Sequence, residues 1–223
     1  MPPPTPEELA SLPPGYATAP PPSADLSYAV VDGTGASLAD ASLHWRIADR
    51  VYTLQLNDGQ HTLTSEGVFG DTGISPHRAI EEDAAGRRIS TFDRGARKLS
   101  FSASDRSYDV PESAQDPASL IIQLASIGNS DPAMLDADLV FLVGSGIDVA
   151  VVHIVPMGEE EIDTPLGKLV TRRFRQERAG GREQFDIWLA PARHWLPVQM
   201  RTTRRDGSTV TQLIRQIVLA PAG

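Results

Sequence analysis

From Asp25 onward the chain breaks into short alternating runs separated by turn residues, and most of the gaps are of hairpin length. Residues 26–31 form the first run, ended by Asp32-Gly33. Residues 42–47 and 51–56 alternate and pair with each other, and Asp58-Gly59 then turns the chain into 61–65, because Asp-Gly takes the positive φ that tight turns need. Further runs stand at 89–92, 98–101, 106–110, 139–143, 149–155, 169–175, 183–189, 196–203 and 210–218, with turns at Gly180-Gly181 and Asp206-Gly207. Parallel strands need crossovers of about a dozen residues or more, so the short connections, which are the majority, imply antiparallel order. About a dozen such strands predict a mainly β fold, a single curved antiparallel sheet or half-barrel.

One segment departs from alternation. Asp116-Pro117 offers an N-cap acceptor and a proline at the first helical position. Leu120, Ile121, Leu124 and Ile127 then recur at helical spacing, and Gly128 offers a stop. The pattern predicts one short capping helix over 117–127, covering an open end or face of the sheet.

Ahead of the first strand lie Pro2, Pro3, Pro4, Pro6, Pro13, Pro14, Pro20, Pro21 and Pro22. Proline lacks an amide donor and fixes φ, so residues 1–24 are expected to be a disordered, semi-extended leader with one helical turn at most, at 7–10. Residues 25–223 are expected to form a single antiparallel β domain. At 223 residues, 40% of them hydrophobic, such a chain can bury its own core. Cysteine is absent, which removes disulfides and thiol chemistry without choosing a compartment. The longest apolar stretch, 139–155, is interrupted by Gly144, Ser145, Gly146, Asp148 and His153 and reads as two strands, not a membrane span. Met1 followed by prolines is no export signal; the expected natural protein is longer, with a signal or membrane tether ahead of residue 1.

Charge divides the chain. Residues 1–163 carry 9 Lys and Arg against 25 Asp and Glu, a balance of −16, and residues 164–223 carry 11 against 4, a balance of +7. Either the two halves face each other, or the C-terminal strands present an anion-binding face. Alternation puts Arg173 and Arg175 on one face of their strand, with Arg172 on the other, and Arg201 on one face of its own. Arg173, Arg175 and Arg201 are the candidates for anion binding.

Catalytic signatures are missing. Gly144-Ser145-Gly146 does not fit G-x-S-x-G, and Gly33-x-Gly35 has neither a third glycine nor a following helix. His44, His61, His77, His153 and His194 form no i, i+4 pair for a metal, and the runs Glu81-Glu82-Asp83 and Glu159-Glu160-Glu161 read as solvated turns. Aromatic residues make up 6% of an acidic chain, too few for the stacking platforms of a nucleic-acid binder. No catalytic residue, metal or cofactor is expected.

Several patterns occur in order over residues 25–218: Ser65-x-Gly67, Gly73-Ile74-x-Pro76-x-Arg78, Phe92-Asp93, Gln115-Asp116, Asp163-Thr164-Pro165-Leu166-Gly167 with Thr171, Ile187-Trp188-Leu189, and Leu196-Pro197-Val198. Together they resemble the bacterial cell-envelope family known as domain-of-unknown-function family 3108, which has no established activity. The resemblance implies an exported or anchored protein of the periplasm or cell envelope. Trp188, Leu196-Pro197-Val198 and the hairpin at Asp206-Gly207 are also similar to periplasmic lipoprotein-carrier domains, half-barrels closed by helices over an apolar cavity.

Two roles follow as expectations. In the first, a non-catalytic binder holds an apolar or amphipathic ligand, such as a lipid, in the curve of the sheet. Trp45, Phe69, Trp188 and Met200 would form its wall, and Arg78 would meet an anionic head group. Alternatively those aromatics are ordinary core and Arg78 ties down the 73–76 loop. In the second role, a structural or assembly protein acts through a sheet edge or the basic C-terminal face. A deep apolar cavity favours the first role and a filled core the second.

Overall fold

The computed structural model describes residues 4–10, 12–70, 72–111, 113–178 and 183–220; the Gly180-Gly181 turn lies outside them. Eight strands come first: β1 (Ala24–Asp32), β2 (Ala41–Ala48), β3 (Val51–Asn57), β4 (Thr62–Gly70), β5 (Gly73–Asp83), β6 (Gly86–Asp93), β7 (Lys98–Phe101) and β8 (Ser104–Asp109). Helix α2 (Pro117–Ser130) follows, and then β9 (Leu139–Ser145), β10 (Asp148–Thr164), β11 (Gly167–Arg178), β12 (Gln184–Ala190), β13 (Leu196–Thr203) and β14 (Thr209–Leu219). A single turn of helix, α1 (Pro6–Ala10), precedes them all.

All fourteen strands belong to one antiparallel sheet, in the order β8 to β1 and then β14 to β9. The first and last strands are therefore neighbours in its middle, and its free edges, β8 and β9, are the two strands that α2 connects. Alternation gives β1 and β3 one buried face, every second residue being buried, whereas β12 and β13 are buried on both faces along most of their length. The two ends approach without pairing. Asp148 of β10 accepts bonds from Arg106 at 2.6 Å and Tyr108 at 2.7 Å, both on β8. Glu81 of β5 accepts from the Ser145 hydroxyl at 2.8 Å and the Gly146 amide at 2.7 Å. Between the ends, Ala79, Phe92, Leu99 and Phe101 pack with Leu142 and Val149. The expected curved sheet is thus rolled into a barrel-like form that does not close.

The rolled sheet encloses α2. Ala118 through Gly128 are all buried. Leu120, Ile121, Ile122, Leu124, Ala125 and Ile127 cover most of its circumference, and the remaining stripe, Ser119, Gln123 and Ser126, is buried as well, with its polar groups bonded inside the protein. Burying each larger side chain contributes about 1.5–3 kcal/mol. The expected lid is therefore an internal filler. Asp116 caps it as its sequence requires, accepting from the amides of Ala118 at 2.9 Å and Ser119 at 3.0 Å. Gly128 is not the stop: the helix runs on to Ser130, ahead of Pro132. Its missing side chain makes room for Trp195, whose ring lies 2.3 Å from where a Cβ would stand.

The helix is pinned to β4 and β5 by the residues that carry the family resemblance. Ser65 donates to the second Asp116 oxygen at 2.5 Å and meets the Tyr52 hydroxyl at 2.9 Å. The Gln123 side chain accepts from the Ile74 amide at 2.8 Å, and that of Gln115 donates to the Ile74 carbonyl at 2.8 Å. Strand β5 was absent from the sequence-based expectation because Gly73 and Pro76 read as loop. Proline is tolerated there because pairing with β6 starts only at Arg78, so no partner needs its amide.

The leader also differs from expectation. Among its described residues only α1 and Ala24, the first residue of β1, are in regular structure, yet residues between 12 and 23 lie against the domain. The Tyr16 hydroxyl donates to the Val140 carbonyl at 3.2 Å and accepts from its amide at 3.0 Å. The Ala19 amide donates to Ser126 at 2.9 Å. Prolines lose a donor but keep a carbonyl, and two are used: Ser113 donates to Pro13 at 3.1 Å and the Trp45 indole to Pro21 at 3.0 Å.

Candidate functional site

The residues expected to line a cavity inside the sheet are packed among other side chains. Trp45 and Met200 are buried core, Trp188 is buried on the opposite face of β12, and Phe69 packs half-buried against the main cluster. Trp45 lies 5.4 Å from Tyr52, ring centre to ring centre, with its indole on the leader. Arg78 is exposed on β5, and no ion pair or hydrogen bond holds it among the described residues. The loop-tying role belongs to Arg94 instead. Its guanidinium donates to the carbonyls of Pro76 at 2.8 and 3.0 Å, Ala114 at 3.0 Å and Pro111 at 3.3 Å. Its sequence position, inside a turn after Phe92-Asp93, carried no signal of that.

The three anion-binding candidates do come together. Register aligns Arg175, Asp186, Arg201 and Thr211 in one cross-strand row, and Arg173, Trp188, Gln199 and Leu213 in the next row of the same face. Phe174, Ile187 and Met200 point the other way, into the core. Arg173 and Arg175 share the Asp186 carboxylate, at 3.2 and 3.1 Å. The Arg173 and Arg201 guanidiniums lie over the Trp188 ring, at 4.9 and 5.2 Å from its centre, and Glu160 accepts its N–H at 2.8 Å. Charge complementarity between the two halves exists elsewhere: Arg215 bonds Asp40 at 2.6 Å, and Arg172 bonds Asp136. Arg173 and Arg175 take no part in it, since Asp186 belongs to the basic half.

A second feature went unread in the sequence because it joins distant turns. Pairing between β13 and β14 runs only from Gln199–Leu213 to Thr203–Thr209. Beyond that register a groove of about 230 Å³ opens, lined by Leu166 from the β10–β11 turn, Leu196, Ile217 and Leu219, with Ala192, Arg193 and His194 beside them. Leu219 and its neighbour Val218 are 43% and 47% exposed, unusual for residues of their size. The turn entering β13 holds His194 and Trp195 at φ 54° and 57°, left-handed backbone that non-glycine residues rarely adopt. Trp195 is held by its seat on Gly128, and the His194 carbonyl accepts from Asn129 at 3.1 Å. His194→Gly is expected to raise stability by about 0.5–1 kcal/mol, read as a higher urea midpoint. An unchanged midpoint would show that the turn stores no strain.

One open antiparallel sheet rolled around a buried helix, with a groove on its outside, defines a barrel-like, mainly β domain. The chain belongs to the family described as "Protein of unknown function (DUF3108)", which matches residues 25–214. Among solved structures it is similar to a β-barrel-like protein of domain of unknown function DUF1849 from Brucella abortus, at 9% identity and a TM-score of 0.53, covering 91% of this chain and 100% of that one. It is also similar to the hypothetical lipoprotein YmcC from Escherichia coli, at 10% identity and a TM-score of 0.34, covering 91% of this chain and 86% of that one. No curated protein matches it.

Proposed function

We propose that the chain is a non-catalytic binding domain of the cell envelope that holds the apolar part of an anionic amphiphile in its outer groove. The groove carries this reading: Leu166, Leu196, Ile217 and Leu219 supply apolar walls, and the exposed Arg193 and His194 stand at their border. Its volume of about 230 Å³ is below the roughly 300–1,000 Å³ of pockets that engulf a small molecule. It fits the end of an acyl chain, with the remainder outside. The interior is occupied by α2 and the aromatic core, so the cavity of a carrier is replaced by a surface seat. An envelope location accords with the family resemblance.

Decanoate is a suitable probe. It is expected to bind the wild-type chain while acetate and decyltrimethylammonium do not, and Leu219→Asp is expected to weaken it at least tenfold, since about two methylenes of lost burial amount to that. Equal affinity for acetate and decanoate would exclude the groove as an apolar seat. A second reading, assembly through a sheet edge, draws on β8, whose outer side carries no strand, whereas β9 is covered by Gln115 through its amide at 2.8 Å and carbonyl at 2.9 Å. A concentration-dependent dimer that ignores decanoate would favour it.

A further inference from the structure

We propose that Arg173, Arg175 and Arg201 form a phosphate-binding site on the outer face of β11–β13, built on different residues from the groove and independent of it. Asp186 sets up the arrangement. It is 1% exposed, and it sits in the row between Arg175 and Arg201. One of its oxygens accepts from Arg173 Nε at 3.3 Å, Arg173 Nη2 at 3.2 Å and Arg175 Nε at 3.1 Å, and the other accepts from Gln184 at 2.6 Å. Three donors already crowd the oxygen that faces the arginines, which has two lone pairs, and Arg201 bonds neither oxygen among the described residues.

Arg201 is consequently a guanidinium without a carboxylate among the described residues. It is held by Trp188 at 5.2 Å and by one bond from Nε to the Thr211 hydroxyl at 3.2 Å. Its two terminal nitrogens, and those of Arg175, have no partner among the described residues, and Arg173 and Arg175 remain 25% and 26% exposed. Arg175 and Arg201 stand two strand spacings apart, about 10 Å at the backbone, one on each side of Asp186. Long side chains from those positions can close over a single tetrahedral anion.

The charge balance points the same way. Three arginines meet two carboxylates, Asp186 beneath them and Glu160 on the Trp188 N–H. One positive charge is left over, and the free donors outnumber what a second carboxylate could accept. Phosphate supplies two charges and several oxygens to parallel N–H groups, the geometry guanidinium matches best. Stacking on Trp188 and bonding to Asp186 fix the forks before the anion arrives, so little side-chain entropy is lost on binding. The phosphate could belong to a lipid head group or to a free phosphate ester, and the chemistry of recognition is common to both.

Titration calorimetry with inorganic phosphate, against chloride at matched ionic strength, tests the site. Saturable phosphate binding is expected, weakened at least tenfold in Arg201→Gln and in Arg175→Gln. Arg201→Lys, which keeps a charge and an aliphatic stem over Trp188, is expected to lose most of that binding with its unfolding midpoint unchanged. Co-sedimentation with phosphatidic acid vesicles, against phosphatidylcholine, distinguishes the sources. Binding to the acidic vesicles that free phosphate does not compete away assigns the site to a head group, and full competition assigns it to soluble phosphates. If wild-type protein binds neither phosphate nor acidic vesicles beyond the chloride and phosphatidylcholine controls, the site does not exist. The same holds if Arg201→Gln and Arg175→Gln bind like wild type.

Discussion

Trp45→Ala is expected to lower the unfolding free energy by about 3–5 kcal/mol, the cost of emptying a large aromatic site that its surroundings only partly refill. Trp45 is fully buried in the main core, tilted against Tyr52, and its indole holds the Pro21 carbonyl. The same change should release the leader, so limited proteolysis ahead of Asp25 is expected to quicken along with the fall in the denaturation midpoint. Trp45→Phe separates the two effects: it keeps most of the packing and loses the bond to Pro21, for about 1 kcal/mol. A wall of a ligand cavity would behave differently, with stability intact and only binding lost. An unchanged midpoint in Trp45→Ala would restore that expectation.

Asp116→Ala is expected to cost about 2–3 kcal/mol, because it strips the acceptor from two buried amides and from Ser65 at once. Asp116→Asn, which can still cap the helix, should cost less. The pair also predicts a pH dependence. Burial holds the Asp116 carboxyl above its ordinary value, against the opposing bonds from Ser65, Ser119 and Ala118. A carboxyl with a raised value binds its proton more tightly in the folded state than in the unfolded one. Its contribution is therefore most favourable in acid and declines as pH rises from the unfolded value through the folded one. Asp25, Asp83 and Asp148 are shifted downward and oppose this trend, so the comparison must be with Asp116→Asn. Urea midpoints at about pH 4 and about pH 7 should show wild type losing ground to that variant as pH rises. A constant difference between the two would mean that Asp116 is not desolvated.

Particular residues show what could be read ahead of the structure. Strands such as β1 and β3 announce themselves through strict alternation, because a sheet with one buried face demands it. Asp116-Pro117 likewise marks a helix start whatever surrounds it. What alternation could not convey is which surface would cover a helix buried on every side; that depends on Asp148 and Glu81 drawing the two ends of the sheet together. The face shared by Arg173 and Arg175 was legible from spacing, whereas their common partner Asp186 required the register of β12. Trp45, Trp188 and Met200 could be read as cavity wall or as core, because a large apolar side chain on a strand looks the same in either role. Arg78 and Arg94 were exchanged because a guanidinium that gathers loop carbonyls leaves no mark in its own neighbourhood of sequence.

The pairing of β1 with β14 governs the order in which this domain can be assembled. Ala24 meets Leu219 and Asp32 meets Val210, so the seam at the centre of the sheet joins segments separated by nearly the whole chain. Such long-range contacts slow folding, because the loop must close before the contact contributes anything. During synthesis the β1–β8 meander can form early, but β1 has its second neighbour only once the last strand exists. Until then the row of backbone groups that β14 will cover stays open to any other strand. A chain whose central seam cannot be zipped before β14 has been made is suited to being held extended until then, and then folding in one place.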